Sequence, residues 1–553
     1  MRKAISTAIV MLALSSIFSM PSPAVPSAQA AGVSGPILLT VTQHDTSRPL
    51  RELIGYPNVL EYKNGQANAP RSLAIGKNPA YSSHDADGAI NNPKGIPDVE
   101  SMPAPSGGWD GINYSTSDCF CLPPDTNGDV GMNHYIQTVN TAFQIWDKNG
   151  NSVYGPAANN TLFSGFGGKC ETTNDGDPVV LYDQLADRWF FSQFANVFTS
   201  GPYYQCIAVS ATNDPTGSWY RYAVQFPKNG SNHYLLNDYG KFGVMPDGYY
   251  MTANLFDGTN FNWGGAAVLA FERQKMLNGQ AAQAIYFNLG VSDWGGMLPA
   301  DFDGTTLPPG NGNYLVEVQD QAWDPFNIPQ DQMAIWKLTP DWANPANTSL
   351  TNIANLQVKK FNGILCNFNR NCVPQKGTSQ KLDAISDRAM NRLQYRNFGS
   401  YETLVVNHTV KAKQRAALRW YEVRVTGGVP AVYQQNTFLP GDTAWRWMGS
   451  AAMDKQGNLA VGFSKSSTTR YPGIFYAGRL AADPLNSLAQ GERRMKRGTG
   501  AQTSSFARWG DYSMLAVDPA DDCTFWYTQE YYKGTSTSTW RTWIGKFKFP
   551  GCR

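Results

Sequence analysis

The sequence predicts an all-β chain folded as a seven-bladed β-propeller with an extended N-terminal arm, and three observations carry that prediction. The first is composition: 52 Gly, 34 Pro, 27 Phe, 27 Tyr and 16 Trp, with only 16% of residues charged. Aromatic side chains suit a half-buried pleated surface, and Gly and Pro punctuate many short strands. The second is self-similarity at a long period, the signature of a repeat architecture. The third is that the last repeat runs out of chain one strand short. A ring closed by a strand from the N-terminal side repairs that deficit and leaves no sheet face uncovered.

Each repeat opens on a small or acidic turn and a short apolar strand. A polar turn and a strongly aromatic strand follow, and two more strands complete it. Clear copies occupy residues 176–183 followed by 188–192, 241–247 followed by 248–252, 447–454 followed by 458–462, and 510–518 followed by 524–528. Weaker copies begin near Asp125, Asp301 and Asp387, with second strands expected at 134–140, around 313–318 and at 401–410. Seven starts between Asp125 and Cys552 give about 61 residues per repeat, against about 40–50 in the usual propeller repeats, so long loops are expected.

Residues 1–30 read as a signal peptide. Arg2 and Lys3 precede an uncharged apolar run, and Ala28-Gln29-Ala30 is a small-x-small cleavage signature. A transmembrane anchor is the alternative, but the run is short, carries Ser15, Ser16 and Ser19, and lacks a stop-transfer flank. The expectation is a secreted (extracellular or periplasmic), soluble, monomeric mature chain. Residues 31–118 are rich in Pro, Gly and Asn, with a candidate strand at 37–42. They read as an arm packed on the propeller of residues 119–553, a small separate domain being the alternative. Removing residues 1–30 takes away two bases and no acid and leaves basic and acidic residues balanced. A balanced chain has no electrostatic footprint for nucleic acid or for an anionic membrane.

The eight cysteines are Cys119, Cys121, Cys170, Cys206, Cys366, Cys372, Cys523 and Cys552. An even count in an exported chain favours disulfides, and no CxxC pair suggests zinc. Cys523 opens an aromatic strand and Cys552 ends the next, so antiparallel pairing brings them together. Cys366 and Cys372 staple one loop, and Cys170 is assigned to Cys206. Cys119 and Cys121 are left without assigned partners.

The stretches Pro124-Asp125-Thr126-Asn127-Gly128, Asp175-Gly176-Asp177-Pro178, Asp387-Arg388 through Tyr395-Arg396-Asn397-Phe398, and Arg508-Trp509-Gly510-Asp511-Tyr512 resemble a family of large exported bacterial propeller proteins. The resemblance spans roughly residues 120–550. It implies the fold and export, and attaches no activity. Met453-Asp454-Lys455-Gln456-Gly457-Asn458 is similar to the Asp-box turn of sialidase-like propellers, although its spacing differs and it lacks the Ser or Thr two residues before the Asp. That resemblance implies architecture rather than catalysis.

In a propeller the loops entering the innermost strands ring one mouth of the central channel. Residues at the starts of first strands are therefore the site candidates. Asp177 and Asp511 follow Gly at equivalent repeat positions and are the preferred acid and base, with Asp238 and Asp387 as further catalytic carboxylates. Asp301 and Asp303 are placed at the same mouth. Converging carboxylates can cleave glycosides, and Arg388, Arg446 and Arg508 could hold an acidic sugar bidentately. Loops after second strands add His408, Glu530 and Tyr531 as substrate contacts. The bland alternative is that these residues form structural ion pairs and turn hydrogen bonds.

No cofactor is expected. Asp125-x-Asn127-Gly128-Asp129 and Asp85-x-Asp87-Gly88 resemble partial calcium loops without the late bidentate Glu, and Asx turns explain them more simply. His44, His84, His134, His233 and His408 show no close zinc spacing, and GxSxG, P-loop and Rossmann motifs are lacking. The run Arg493-Arg494-Met495-Lys496-Arg497 reads as a solvated strand or loop, with contact to an acidic glycan as the sharper alternative. The function expected is a secreted carbohydrate-active enzyme, a glycosidase or polysaccharide lyase working at the channel mouth on a polysaccharide or glycan. The alternatives are a non-catalytic glycan-binding or adhesion propeller and, more weakly, a peptide-binding scaffold.

Overall fold

The structure, a computed structural model, describes residues 33–55, 87–90, 102–119, 121–293, 295–323, 328–368 and 371–553. The signal-peptide reading of residues 1–30, and Asp85 and His84, lie outside the described residues. The chain is a β-propeller of consecutive antiparallel units. Their first strands are Asn127–Val130, Val179–Asp183, Leu235–Met245, Leu298–Asp303, Ala389–Asn397, Trp445–Met453 and Met514–Val517. Each is followed by an antiparallel second strand, such as Arg188–Ala195 or Thr524–Tyr531, where the aromatic residues concentrate. Units are numbered here from the first of these strands.

The first strands neighbour one another around the ring, the seventh meeting the first. A first strand is an edge, and its outward N–H groups need acceptors. Side chains of the preceding unit supply many of them. Asn127 accepts from the Val180 amide (2.8 Å) and Asp129 from the Tyr182 amide (2.8 Å). Gln394 accepts from Met453 (2.5 Å) and Ser450 from Leu515 (3.0 Å). Units four and five join directly, Ala300–Asp303 running parallel to Leu393–Arg396. This explains polar residues on innermost strands. In the Asp125–Asp129 stretch, the oxygens of Asn127 and Asp129 that a calcium loop would use are occupied as inter-unit acceptors.

Aromatic rings fill the space between units. Phe190 of unit two lies 4.8 Å from Tyr249 and 5.2 Å from Phe242 of unit three, and Tyr135 of unit one stacks on Trp526 of unit seven at 5.4 Å. Full burial of each such ring contributes about 1.5–3 kcal/mol. The last unit is completed from the N-terminal side, Gly107–Asn113 pairing antiparallel with Arg541–Lys548. The candidate strand at 37–42 is in fact two strands. Ser34–Leu38 extends the sheet of unit three and Val41–Thr46 that of unit two, each as a fifth, outermost strand.

The cysteines lie as four pairs. Cys170–Cys206, Cys366–Cys372 and Cys523–Cys552 have Cα separations of 5.6, 5.1 and 5.7 Å, and Cys119 is paired with Cys121. The turn that resembled an Asp-box is structural: Asp454 accepts from the amides of Gln456 (2.9 Å) and Asn458 (3.0 Å). Asp147 builds the same turn with Asn149 and Asn151, which the sequence reading left unrecognised. Among the described residues no helix is long and apolar enough to cross a membrane.

Candidate axial site

Two or three residues ahead of the regular ladder of each of five first strands, the backbone turns left-handed: Asp125 (φ 51°), Asp177 (φ 44°), Tyr239 (φ 59°), Met448 (φ 54°) and Asp511 (φ 61°). In units three and six this turn is a bulge inside a longer strand, the register shifting between Asp238 and Lys241 and between Trp447 and Ser450. Non-glycine residues adopt such angles sparingly, and clusters of them mark places where structure overrides local preference. Here four of the five bring side chains to one place.

Asp125, Asp177, Tyr239, Lys241, Arg388, Arg508, Asp511 and Tyr512 are all buried. One oxygen of Asp177 accepts from the Tyr239 amide (3.0 Å) and the Tyr512 hydroxyl (3.3 Å). The Tyr239 hydroxyl crosses to donate to the Asp511 carbonyl (3.0 Å). The Lys241 ammonium lies between the two rings, 3.0 Å from the centre of Tyr239 and 3.6 Å from that of Tyr512. Arg508 forms an ion pair with Asp511. Arg388 is held bidentately by Asp387 (2.9 and 2.7 Å) and lies 5.0 Å from the Tyr239 ring centre.

Burial sets the protonation states. It pushes Asp125 well above the usual carboxylate range, and the charges of Asp177 and Asp511 add to the effect. Asp177 is pushed up to about 6, by burial first and then by Asp238, while Lys241 pulls it back. Of the two, Asp125 is the stronger proton holder, and the charge of Asp177 adds to its hold. Burial lowers Lys241 well below an ordinary lysine, against the pull of Asp177. Burial also disfavours the Arg508 charge, but the Asp511 carboxylate more than compensates and holds it above its ordinary value. The outcome is a carboxyl that keeps its proton, a carboxylate beside it, and a third carboxylate fixed by a guanidinium.

The structure therefore brings together Asp177, Asp511, Asp238, Asp387, Arg388 and Arg508. Three other expected residues lie elsewhere. Arg446 is buried in an ion network with Asp442 (2.9 Å) and Glu492 (2.8 Å), which Lys465 also joins. His408 is buried in unit five, its ring nitrogen 3.0 Å from the Tyr421 hydroxyl and its ring edge-on to Phe361. Tyr531 hydrogen-bonds Asp110 and packs under Lys496. Glu530 is buried beneath the cluster and accepts from the Gly510 amide (2.8 Å).

Asp301 and Asp303 were expected at the same mouth but occupy the far end of their first strand, which begins at Leu298. There they pair with Arg392, Asp303 also accepts from Gln394, and neighbouring Asp129 is pushed up to about 8 by burial despite Arg392. This is a second polar layer of the channel. Asp125, Tyr239, Lys241 and Tyr512 were missed as site residues. The signal that finds Asp125 is its place two residues before a first strand, the same place as Asp177.

No protein-family model and no curated protein matches the chain. Among solved structures it is similar to the endosialidase of phage phi92 (8% identity, TM-score 0.35, covering 67% of this chain and 66% of that one). It is likewise similar to the Hadza microbial sialidase Hz136 (10%, 0.36, 77% and 75%) and the alpha-L-arabinanase of Cellvibrio cellulosa (12%, 0.26, 55% and 90%). The fold described above rests on the strand pairing itself, and no activity is taken from these likenesses.

Proposed function

We propose that this chain is a secreted, monomeric, carbohydrate-active enzyme whose reactive groups are the axial carboxylates, acting without a cofactor on a glycosidic linkage. The observation that carries this reading is the buried cluster in which Asp177 accepts from the Tyr239 amide and the Tyr512 hydroxyl, Tyr239 donates to the Asp511 carbonyl, and Asp125 and Asp177 repel each other with unequal proton affinity. Glycoside hydrolysis needs one carboxyl that holds a proton for the leaving-group oxygen and one that stays ionised to act on water or the sugar carbon. In this reading Asp125 is the acid, Asp177 the carboxylate beside it, and Asp511, paired with Arg508, a further carboxylate of the site. Arg388, held by Asp387 at the rim, orients an acidic substituent. If the substrate is a uronate, the lowered Lys241 supports elimination instead, as an amine able to take a proton. The paired cysteines support an oxidising, extracytoplasmic setting.

A second reading, a non-catalytic glycan-binding propeller, is favoured by the burial of Asp125, Asp177, Lys241, Arg388, Arg508 and Asp511. A carboxylate network closed to solvent also serves to plug a ring. The experiment is incubation of the mature chain with a polysaccharide panel, reading both reducing ends and unsaturated-uronate absorbance. Turnover lost in Asp177→Asn and Asp511→Asn, with the unfolding temperature held, supports the enzyme. Turnover surviving both changes removes these residues from catalysis. Binding without turnover in the unaltered chain supports the second reading.

A further inference from the structure

Unit six carries a cleft of about 330 Å³ lined by Lys376, Thr469, Arg470, Tyr471, Arg494 and Arg497, on the outer side of a sheet whose innermost strand is Trp445–Met453. Its four cations come from three places. Arg470 begins the third strand of the unit, Arg470–Arg479, just after the hairpin. Arg494 lies on the outermost strand, Glu492–Lys496, and Arg497 follows it. Lys376 arrives from the loop before unit five, its amide donating to the Arg470 carbonyl.

All four cations are exposed, and among the described residues none lies within 4 Å of a carboxylate. The acid on this sheet, Glu492, is taken by Arg446 and Lys465. Four like charges around one small volume repel one another, a cost that an anion between them relieves. The frame is rigid. Gln375 exchanges hydrogen bonds with the backbone of Gln502 (2.8 Å each way), and the Pro374 carbonyl accepts from Ser466 (2.6 Å), which fixes the Lys376 loop. At Gly498 the backbone lies so close to Pro472 that an added Cβ would collide with the Pro472 carbonyl.

Charged residues on an outermost strand commonly serve only to discourage edge-to-edge pairing. That role calls for side chains spread along the strand. It does not explain Lys376, brought from another unit to the same cavity.

We infer that this cleft is a binding site for the sulfate or carboxylate groups of an acidic saccharide, separate from the axial cluster. Guanidinium forks match such groups bidentately, and the Lys376 ammonium lies 5.4 Å from the centre of the Tyr471 ring, which places a cation and an aromatic ring together in the cleft. A saccharide is favoured over nucleic acid because the cleft holds one tyrosine rather than a row of stacking rings, and the whole chain carries a net charge of only +2.

The test is calorimetric titration of the mature chain with dextran sulfate, polygalacturonate, neutral dextran and oligothymidylate. It reads binding and needs no turnover, so it stands or falls separately from axial catalysis. Binding of dextran sulfate alone assigns sulfate, binding of polygalacturonate alone assigns carboxylate, and binding of both assigns an anionic group at large. In each case neutral dextran stays unbound. Arg470→Ala/Arg494→Ala, and separately Arg497→Glu, should weaken that binding by roughly tenfold or more without changing the unfolding temperature, since each removes charge-assisted contacts. Failure to bind either acidic polymer, undiminished binding by both variants, or equally tight binding of oligothymidylate overturns the assignment.

Discussion

The Lys241 ammonium lies 3.0 Å from the centre of the Tyr239 ring, and its nitrogen is 3.3 Å from the carbonyl oxygen of that same residue. The bulge that turns Tyr239 left-handed folds its ring back over the side chain two residues on. Lysine is thereby buried where three carboxylates already compete for protons, and its own proton affinity falls.

Replacing that lysine by an isosteric apolar chain is the first prediction. Lys241→Met should fold but lose about 3–5 kcal/mol at neutral pH, because removing one partner of a buried charge pair leaves the other uncompensated. Asp177 then loses the cation that draws it down, so its proton affinity should rise above about 6. Denaturant titration reads the first effect, and the acidic limb of a pH–activity profile the second. Lys241→Glu adds a carboxylate to the cluster and should abolish folding.

Ring closure also depends on backbone contact. At Gly243, in the first strand of unit three, an added Cβ would collide with the Ala300 carbonyl of unit four. Backbone cannot yield as a flexible side chain does. Gly243→Ala should therefore cost about 1–3 kcal/mol, as overpacking of a filled interior does. Gly441→Ala, with nothing within 4 Å of the new carbon, is the control and should change the denaturation midpoint little. Equal midpoints for the two variants would show that the inner strands are not in contact.

The pair Cys523–Cys552, separated by 29 residues, ties the head of one strand to the tail of the next in the closing unit. Constraining a loop of that length is worth about 3–4 kcal/mol in the chain-entropy account. Cys523→Ser/Cys552→Ser should lose about that much in a chemical denaturation series. A non-reducing peptide map of the parent should recover the linked fragments.

Much of this was legible in the chain. The aromatic second strands announce themselves because a strand covered on both faces needs continuous apolar character, as in Thr524–Tyr531. Asp177 and Asp511 were legible because each follows a glycine at an equivalent repeat position. Tyr239 and Lys241 were hidden by a bulge, which shifts the repeat by the residues it inserts and so breaks the alignment with units one and two. His408 and Tyr531 were misplaced because they lie within second strands, not in the loops after them, and Arg446 because sequence does not show that Asp442 and Glu492 close around it. Asp301 and Asp303 were put at the wrong end because the repeat was begun at Asp301, whereas the first strand begins at Leu298. The two outermost N-terminal strands carry no repeat signal, since they add to sheets built by residues far along the chain.

The second polar layer yields a prediction about pH. Asp129 is pushed up to about 8 by burial, against an ordinary value near 3.9 in the unfolded chain. Between those values the folded state holds a proton that the unfolded state has released. Stability from this group is thus fully present below about pH 4 and is lost as pH rises toward 8, at a slope on the order of 1.4 kcal/mol per pH unit. Asp129→Asn mimics the protonated form and does not titrate. Asp129 accepts from the Val130 amide with one oxygen (2.7 Å) and from the Tyr182 amide with the other (2.8 Å), and asparagine can keep only one of these. At pH 4 the variant should therefore be less stable, by about 1 kcal/mol for the lost hydrogen bond. On raising the pH the parent declines and the variant does not, so their unfolding temperatures should cross below neutrality and stay reversed above pH 8. Parallel curves from pH 4 to 9 would mean that Asp129 is ionised in the folded ring, and that Arg392 outweighs its burial.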